Sequence, residues 1–249
     1  MAYIRIFTLP NLITCLNLLS GCVGIVLALS GFIYPALMCV LLAGMFDFLD
    51  GFTARLLRAY SPVGVQLDSL ADMVSFGTLP AVMLLYAMKG AMGVSSLAYV
   101  DGADLLLLFS PFVLTAFSAL RLAKFNVDDR QHISFLGLPT PANALFFAAL
   151  AVMGGDIGAA ATWLFPVLIA AFSFLLVCEL PMFSLKVKNF SLRRYALQLI
   201  FLLLSAVVVL LCALLCPTPL PMAIAGIIVL YILLSTVRAA CFAAAPTVE

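Results

Sequence analysis

Residues 195–216 have the sequence YALQLIFLLLSAVVVLLCALLC, which contains no charged side chain. An α-helix needs about 20 predominantly apolar residues to cross the hydrocarbon core of a bilayer, so this segment predicts a transmembrane helix. Similar apolar runs, bounded by glycine, proline or charged residues, occur along the rest of the chain. The predicted helices cover residues 10–30, 33–57, 64–88, 103–125, 140–155, 159–182, 195–216 and 220–243. The sequence therefore predicts an all-α polytopic membrane protein with about eight transmembrane helices.

The composition excludes the main classes of soluble protein. Of the 249 residues, 66% are hydrophobic and 9% are charged, and the mean hydropathy is +1.27. A soluble domain typically has about 25% charged residues. A net charge of +1 also argues against nucleic acid as a partner, because phosphate binding requires a basic patch. We expect one membrane domain over residues 1–249, with a six-helix core at about 1–182 and two additional helices within 195–243.

The basic residues predict the orientation of the chain. Cytoplasmic loops of membrane proteins contain an excess of Lys and Arg. With the N-terminus placed in the cytoplasm, eleven of the twelve Lys and Arg residues lie at cytoplasmic helix ends or loops, and only Lys89 lies outside. This distribution supports eight spans with both termini in the cytoplasm.

The first apolar run is predicted to be a retained helix rather than a signal peptide. The polar residues Asn11, Thr14 and Asn17 interrupt it, and only Arg5 precedes it. A signal peptide would have a positively charged start, an uninterrupted apolar stretch and a small-residue cleavage site.

Four acidic residues, Asp47, Asp50, Asp68 and Asp72, lie in or beside the second and third predicted helices. An aspartate at the centre of a span costs about 2.5–3.5 kcal/mol, so such residues usually have a function. The spacings of three and four residues place each pair on one helix face. A short turn joins the two helices, so both pairs are expected to meet near the cytoplasmic surface. Four carboxylates suit two Mg²⁺ or Mn²⁺ ions, which could clamp a phosphoryl group.

The neighbouring residues agree with a phosphate site. Gly51 and Ala54 share the face of Asp47 and Asp50, and Gly64 lies one turn before Asp68, so a ligand could approach the backbone. Arg55 and Arg58 add positive charge for phosphate oxygens. The alternative is that the acids form structural ion pairs with arginines such as Arg55, Arg58 and Arg121.

Residues 47–72 match the pattern D-x2-D-G-x2-A-R-x8-G-x3-D-x3-D, and the chain thereby resembles the CDP-alcohol phosphatidyltransferases. The resemblance implies an enzyme that transfers a phosphatidyl group from a CDP-linked lipid to an alcohol and releases CMP. It implies a catalytic core that holds two divalent cations. The implied metal ligands are Asp47, Asp50, Asp68 and Asp72, with Asp72 also the general base, and the implied CDP contacts are Asp50, Gly51, Ala54, Arg55 and Gly64.

Further segments resemble the integral-membrane phosphatidylserine synthases within that family. They are LPNLIT at 9–14, DSLADMVSFG at 68–77, SALRLAKFN at 118–126 and FLGLPTPA at 135–142. Serine as the acceptor would bring a carboxylate, which Arg121 and Lys124 could bind with help from Asn126. Lys124 stands where Arg is common in that subfamily, and Lys lacks the bidentate geometry of Arg. These bases could instead anchor the helix at the interface.

The resemblance implies CDP-diacylglycerol and L-serine as substrates, with phosphatidylserine and CMP as products. Glycerol 3-phosphate or inositol phosphate is the alternative acceptor, and a divalent-cation transporter is a remote alternative. We expect an integral protein of a prokaryotic cytoplasmic membrane, embedded in lipid, with the active site facing the cytoplasm. Homodimers are common in the family, so a homodimer is a candidate assembly.

Overall fold

The computed structural model of the protein describes residues 6–96, 98, 100–128, 135–182 and 196–243, with backbone only at positions 135, 196 and 241–243. Within these ranges the chain is almost entirely helical, which confirms the all-α prediction. The helices are α1 (Leu9–Leu29), α2 (Ile33–Leu56), α3 (Pro62–Asp72), α4 (Leu79–Ala91), α5 (Gly102–Phe109), α6 (Phe112–Val127), α7 (Thr140–Val152), α8 (Gly154–Ile157), α9 (Ala161–Val177), α10 (Ala196–Leu215) and α11 (Pro219–Ala243).

Six helical segments of the described chain are long and apolar enough to cross a membrane, with α3–α4 and α8–α9 each counted as one. The fourth predicted helix is bent by 40° between α5 and α6, where Pro111 interrupts the helical hydrogen bonding. If this bent pair is one span, the number of spans is seven. The remaining predicted span, 140–155, contains the shorter α7 of 13 residues. The count of eight and the sides of the two termini stay predictions.

The short helix α7 lies at the centre of the fold. Nine of its residues are buried, including Phe146, Phe147 and a run of small alanines. The ring of Phe146 stacks on Phe172 of α9 with centroids 4.3 Å apart. Helices α2, α4, α6, α9 and α11 all pack against α7. A helix surrounded by protein does not need the length of a lipid-exposed span.

The third predicted helix contains a π-helical turn at Met73–Thr78, immediately after Asp72. The extra residue in such a turn redirects the following side chains, and π-turns are frequent at functional sites. Helix α1 packs closely on this turn because Gly21 has no side chain, and a Cβ there would lie 2.5 Å from Ser75 Oγ. Ser75 Oγ donates to the carbonyl of Asn17 at 3.0 Å. The turn thus joins α1 to the acidic end of α3.

A two-residue antiparallel ladder, β1 (Phe135–Leu136) with β2 (Pro181–Met182), connects the start of α7 to the end of α9. Gly137 follows β1 with φ of +76°, and its N–H donates to the carbonyl of Leu180. A Cβ at Gly137 would lie 2.7 Å from the carbonyl oxygen of Leu176 and 2.9 Å from that of Cys178. Only glycine fits this position without a shift of the backbone.

We therefore expect Gly137→Ala to lower the stability of the folded protein by about 1–3 kcal/mol, measured as a lower Tm of the detergent-purified protein. Gly93→Ala is the matched control, because Gly93 has a φ of +66° but a Cβ there would have no other side chain or backbone within 4 Å. An equal decrease in Tm for both variants would assign the effect to φ alone and contradict the steric argument.

Candidate active site

The structure brings three of the four predicted aspartates into one cluster. One carboxylate oxygen from each of Asp47, Asp50 and Asp68 lies within 4.8 Å of the others. Asp50 is 6% exposed, although it lies in the last third of α2. Asp72, the last residue of α3, is 7% exposed and interacts electrostatically with the other three. The acids of α2 and α3 therefore face each other, as the spacing predicts.

Helix α1 holds two of these carboxylates with polar side chains. Thr14 Oγ1 donates to Asp50 Oδ2 at 2.5 Å, and Asn17 Nδ2 donates to Asp72 Oδ1 at 3.0 Å. Both donors are buried, as is Asn11. The sequence indicated that these three residues are unusual in a signal peptide and that Asn11 and Thr14 belong to the segment LPNLIT, but it gave none of them a role at the acids. Their spacing of three residues puts them on one face of an apolar helix, and that pattern could have indicated their role.

The aspartate cluster is chemically suited to a divalent cation. Carboxylate oxygens are the ligands that hard cations such as Mg²⁺ and Mn²⁺ prefer. Asp68 Oδ1 is buried and has no hydrogen-bond partner in the described part of the chain, which is costly unless another group compensates its charge. Three aspartates so arranged could hold a metal ion.

Ion pairing does not explain the cluster. Across the described ranges, no Lys or Arg nitrogen lies within 4 Å of a carboxylate oxygen of these four aspartates. The structural alternative, in which the acids pair with Arg55, Arg58 and Arg121, is therefore not supported. Arg58 lies two residues after the end of α2, with a left-handed φ of 50°.

An open cavity of about 140 Å³ adjoins the cluster. It lies between the start of α1, the end of α2 and the start of α3. Its lining residues are Pro10, Asn11, Thr14, Asp50, Gly51, Ala54, Ala59, Tyr60, Ser61, Gly64, Val65 and Asp68. This set contains every predicted CDP contact except Arg55, and it adds Asn11, Thr14, Tyr60 and Ser61, which the sequence did not indicate.

At Gly64, the small residue in the cavity wall has a steric reason. A Cβ on Gly64 would lie 3.0 Å from Asn11 Oδ1 and 3.1 Å from Ser61 Oγ. A Cβ on Gly51 would lie 3.9 Å from Nη1 of Arg55, so the Arg55 guanidinium lies close to Gly51 of the cavity wall. The cavity is thus shaped by glycine and has a cation at its edge.

A second polar region surrounds Arg121 of α6. Arg121 is 7% exposed, interacts electrostatically with Asp72 and donates from Nη1 to Thr140 Oγ1 of α7. Its Nε has no hydrogen-bond partner among the described residues, and the same holds for the buried oxygens Ser118 Oγ and Asn143 Oδ1. Such unpaired buried groups are rare in folded proteins and indicate a polar ligand or water.

The other two predicted acceptor residues lie at the end of α6 and already have protein partners. Lys124 Nζ lies 3.4 Å from Glu179 Oε1 and from the carbonyl of Val177. Asn126 Nδ2 donates to Ser69 Oγ at 2.8 Å. These contacts tie α6 to α9 and α3. Six of the predicted cytoplasmic bases, Arg5, Arg130, Lys186, Lys188, Arg193 and Arg194, lie outside the described residues.

The fold and site define an integral membrane protein with an aspartate cluster and an adjoining ligand cavity. The model of the CDP-alcohol phosphatidyltransferase family matches residues 7–177. This match spans the aspartate cluster, the cavity and Arg121, and it covers more than half of the chain. The protein therefore belongs to the CDP-alcohol phosphatidyltransferase family, and the resemblance predicted from residues 47–72 is confirmed.

Several curated proteins are similar to the chain. A CDP-diacylglycerol–serine O-phosphatidyltransferase of Mycobacterium leprae is 34% identical over 184 residues, covering 70% of this chain and 57% of that protein. One of the same name from Methanocaldococcus jannaschii is 35% identical over 141 residues, covering 57% and 59%. An archaetidylserine synthase of Methanothermobacter thermautotrophicus is 34% identical over 148 residues, covering 59% and 58%. The chain thus spans less than two thirds of the length of these relatives.

Proposed function

We propose that this protein transfers the phosphatidyl group of CDP-diacylglycerol to L-serine, giving phosphatidylserine and CMP. The observation that carries the proposal is the cluster of Asp47, Asp50 and Asp68 at the edge of a cavity lined by Gly51 and Gly64. The names of the relatives support serine as the acceptor, since they are serine phosphatidyltransferases and an archaetidylserine synthase.

The aspartates are proposed to hold two divalent cations, Mg²⁺ or Mn²⁺, with Asp72 as the fourth ligand. The fit is supported by the mutual approach of three carboxylates and by the buried, unpaired Asp68 Oδ1 in the described chain. When bound, such a pair of ions neutralises phosphate charge and stabilises both the attacking and the leaving oxygen.

The cavity beside the cluster is proposed to bind the CDP group. Asp50, Gly51, Ala54 and Gly64 line it, and Arg55 stands at its rim to balance phosphate charge. The absence of side chains at the two glycines allows the nucleotide to approach the backbone closely. The acyl chains of the lipid would stay in the bilayer beside the helices.

Asp72 is the proposed general base. Asn17 donates to its Oδ1, which orients the carboxylate and leaves Oδ2 to accept the proton of the serine hydroxyl. The serine oxygen then forms a bond to the phosphorus attached to diacylglycerol, and the bond from that phosphorus to the CMP oxygen breaks. Positioning and electrostatic stabilisation supply most of the rate enhancement.

Arg121 is proposed to bind the serine carboxylate. Its interaction with Asp72 brings the positive charge next to the base, and its Nε has hydrogen-bonding capacity to spare among the described residues. Lys124 and Asn126, at the C-terminal end of α6, are proposed to guide the acceptor into the site. Arg121 is the only buried Lys or Arg in the described chain, which favours an acceptor with one carboxylate over one with a phosphate dianion.

We further propose that the site faces the cytoplasm of a prokaryotic cell, which is supported by the distribution of Lys and Arg along the sequence under the positive-inside rule. The division into a catalytic core at about 1–182 and two additional helices, and a homodimeric assembly, belong to the same set of proposals.

The deciding experiment supplies the purified protein with CDP-diacylglycerol and Mn²⁺ or Mg²⁺ and compares L-serine, glycerol 3-phosphate and inositol phosphate as acceptors. We expect metal-dependent CMP release with serine only. CMP release with glycerol 3-phosphate or inositol phosphate instead of serine would leave the family assignment unchanged and would show that the proposed acceptor is wrong. Flux of Mn²⁺ into proteoliposomes without CMP release would favour the transporter.

A further inference from the structure

The side-chain amide of Asn17, in the middle of α1, uses only one of its two ends within the described chain. Its Nδ2 donates to Asp72 Oδ1 at 3.0 Å, while its Oδ1 is buried and has no hydrogen-bond partner among the described residues. The amide has to face Asp72 with its nitrogen, because an ionised carboxylate only accepts hydrogen bonds. A buried carbonyl oxygen without a donor costs free energy, so this oxygen indicates a ligand group that donates to it.

The backbone holds Asn17 in this position. Ser75 Oγ of the π-helical turn donates to the Asn17 carbonyl at 3.0 Å, and Gly21, one turn further along α1, lets that turn approach. Asn17 is 0% exposed and Asp72 is 7% exposed, so the unpaired oxygen and the carboxylate lie in the same enclosed region. Any acceptor that gives its proton to Asp72 therefore has to enter this region and come next to Asn17.

The separation of the two side chains suits a hydroxyl and an ammonium on adjacent carbons. The oxygen and nitrogen of an amide are about 2.2 Å apart, so Asn17 Oδ1 lies at most about 5 Å from Asp72 Oδ1. In serine the hydroxyl oxygen and the ammonium nitrogen are about 3 Å apart in a gauche rotamer. With a hydrogen bond of about 2.8 Å at each end, this pair reaches oxygens up to about 8 Å apart. One serine molecule can therefore contact Asp72 and Asn17 at once.

The ammonium is the group of serine that can donate to the Asn17 oxygen. The carboxylate has no hydrogen, and the hydroxyl gives its hydrogen to Asp72 in the proposed reaction. An ammonium has three donors and a positive charge, and a hydrogen bond from a charged donor is strong in an enclosed region of low polarity. The alternative acceptors glycerol 3-phosphate and inositol phosphate have no ammonium, so they leave this oxygen without a donor.

We propose that Asn17 Oδ1 binds the ammonium of the acceptor and thereby selects an amino alcohol, while Nδ2 of the same side chain orients Asp72. This inference rests on the proposed function. Because one rigid amide contacts both groups, it fixes the acceptor hydroxyl relative to the base before the reaction, which lowers the entropic cost of the step. Helix α1 then takes part in the choice of acceptor as well as supporting the acids.

The test compares L-serine with 3-hydroxypropanoate, which has the hydroxyl and the carboxylate of serine but no ammonium. We expect the wild-type protein to prefer serine in kcat/KM for CMP release by roughly 10–100-fold, the effect of one hydrogen bond to a charged group. In Asn17→Leu both kcat/KM values should fall, since Asp72 loses its orienting partner, and the preference should shrink to roughly threefold or less. Gln66→Leu, which removes an exposed amide of α3 outside the cavity, is the control and should keep the wild-type preference.

A binding measurement makes the same comparison without turnover. In the presence of Mn²⁺ and CMP, L-serine should raise the Tm of the wild-type protein more than an equal concentration of 3-hydroxypropanoate does. Asn17→Leu should lose that difference, and Gln66→Leu should keep it. Asn17→Ser, with a shorter polar side chain, takes the place of Asn17→Leu in both measurements if the leucine variant does not fold.

An undiminished preference for serine in the Asn17 variant, with both rates lowered together, would overturn the inference and leave Asn17 as an orienting residue only. A wild-type protein that does not discriminate between the two acceptors would overturn it as well. So would a raised half-saturating Mn²⁺ concentration with an unchanged preference, which would assign the oxygen to metal binding. If the wild-type protein releases no CMP with serine, the proposed function fails and the inference falls with it; if it does and the variant keeps the preference, only the inference fails.

Discussion

Replacing Asp72 with Asn is expected to lower turnover with serine by roughly 10²–10⁴-fold, the usual contribution of a general base. The amide has nearly the shape of the carboxylate, and its oxygen can still accept from Asn17 Nδ2, so the helix contact should persist. What is lost is the ability to take a proton from the serine hydroxyl. The measurement is the initial rate of CMP release at saturating lipid, serine and Mn²⁺.

Asp104→Asn is the matched control for this experiment. Asp104 is an exposed residue in the first turn of α5, outside the cluster and the cavity. It undergoes the same change of charge and should retain wild-type turnover. Near-normal turnover of Asp72→Asn would show that the base assignment is wrong. A rate restored by higher Mn²⁺ would assign Asp72 to metal binding alone.

Replacing Asp68 with Asn is expected to raise the half-saturating Mn²⁺ concentration for CMP release by roughly 100-fold or more. Even mutations of residues that only orient metal ligands cost about 10–100-fold in affinity, and Asp68 is a proposed direct ligand. Its Oδ1 is buried without a hydrogen-bond partner in the described chain, so no protein group there compensates the charge. The loss should therefore appear in metal affinity first and in turnover at high Mn²⁺ to a smaller extent.

A binding measurement checks the same prediction without relying on catalysis. A ligand that binds only the folded state stabilises it by about 2.7 kcal/mol at 100 times its Kd. Mn²⁺ should therefore raise the Tm of the wild-type protein and of Asp104→Asn, and Asp68→Asn should need a far higher concentration for the same rise. An unchanged Mn²⁺ response in Asp68→Asn would contradict its role as a ligand.

The helices were largely predictable because membrane insertion depends on local hydrophobicity. Each predicted apolar run from residue 10 onward contains helix in the described structure. The details that hydropathy does not give depend on neighbouring helices. Helix α7 has 13 residues, fewer than a typical membrane span, and it is surrounded by protein. The fourth run bends at Pro111. Neither the packing around α7 nor the π-turn after Asp72 is visible in a hydropathy pattern.

The aspartate cluster was also predictable, since its spacing is local. Intervals of three and four residues place Asp47 with Asp50, and Asp68 with Asp72, on single helix faces. A short turn then makes the two faces meet. The partners of these acids were not predictable in the same way. Thr14 and Asn17 lie 36 and 55 residues from the carboxylates that they contact, so their role depends on which helix α1 packs against.

The sequence by itself determined the membrane class, the helical content, the family and the aspartate set, because hydropathy and short-range spacing act within one or two helices. The tertiary structure alone decided that α1 supports the acids, and that Arg121 is buried and donates to Thr140 of α7 while Lys124 pairs with Glu179. The physical reason is that lipid tails are as apolar as the helix surfaces, so hydrophobicity alone does not determine which face of a helix packs against another helix. Only side-chain packing and interhelical hydrogen bonds select which faces meet.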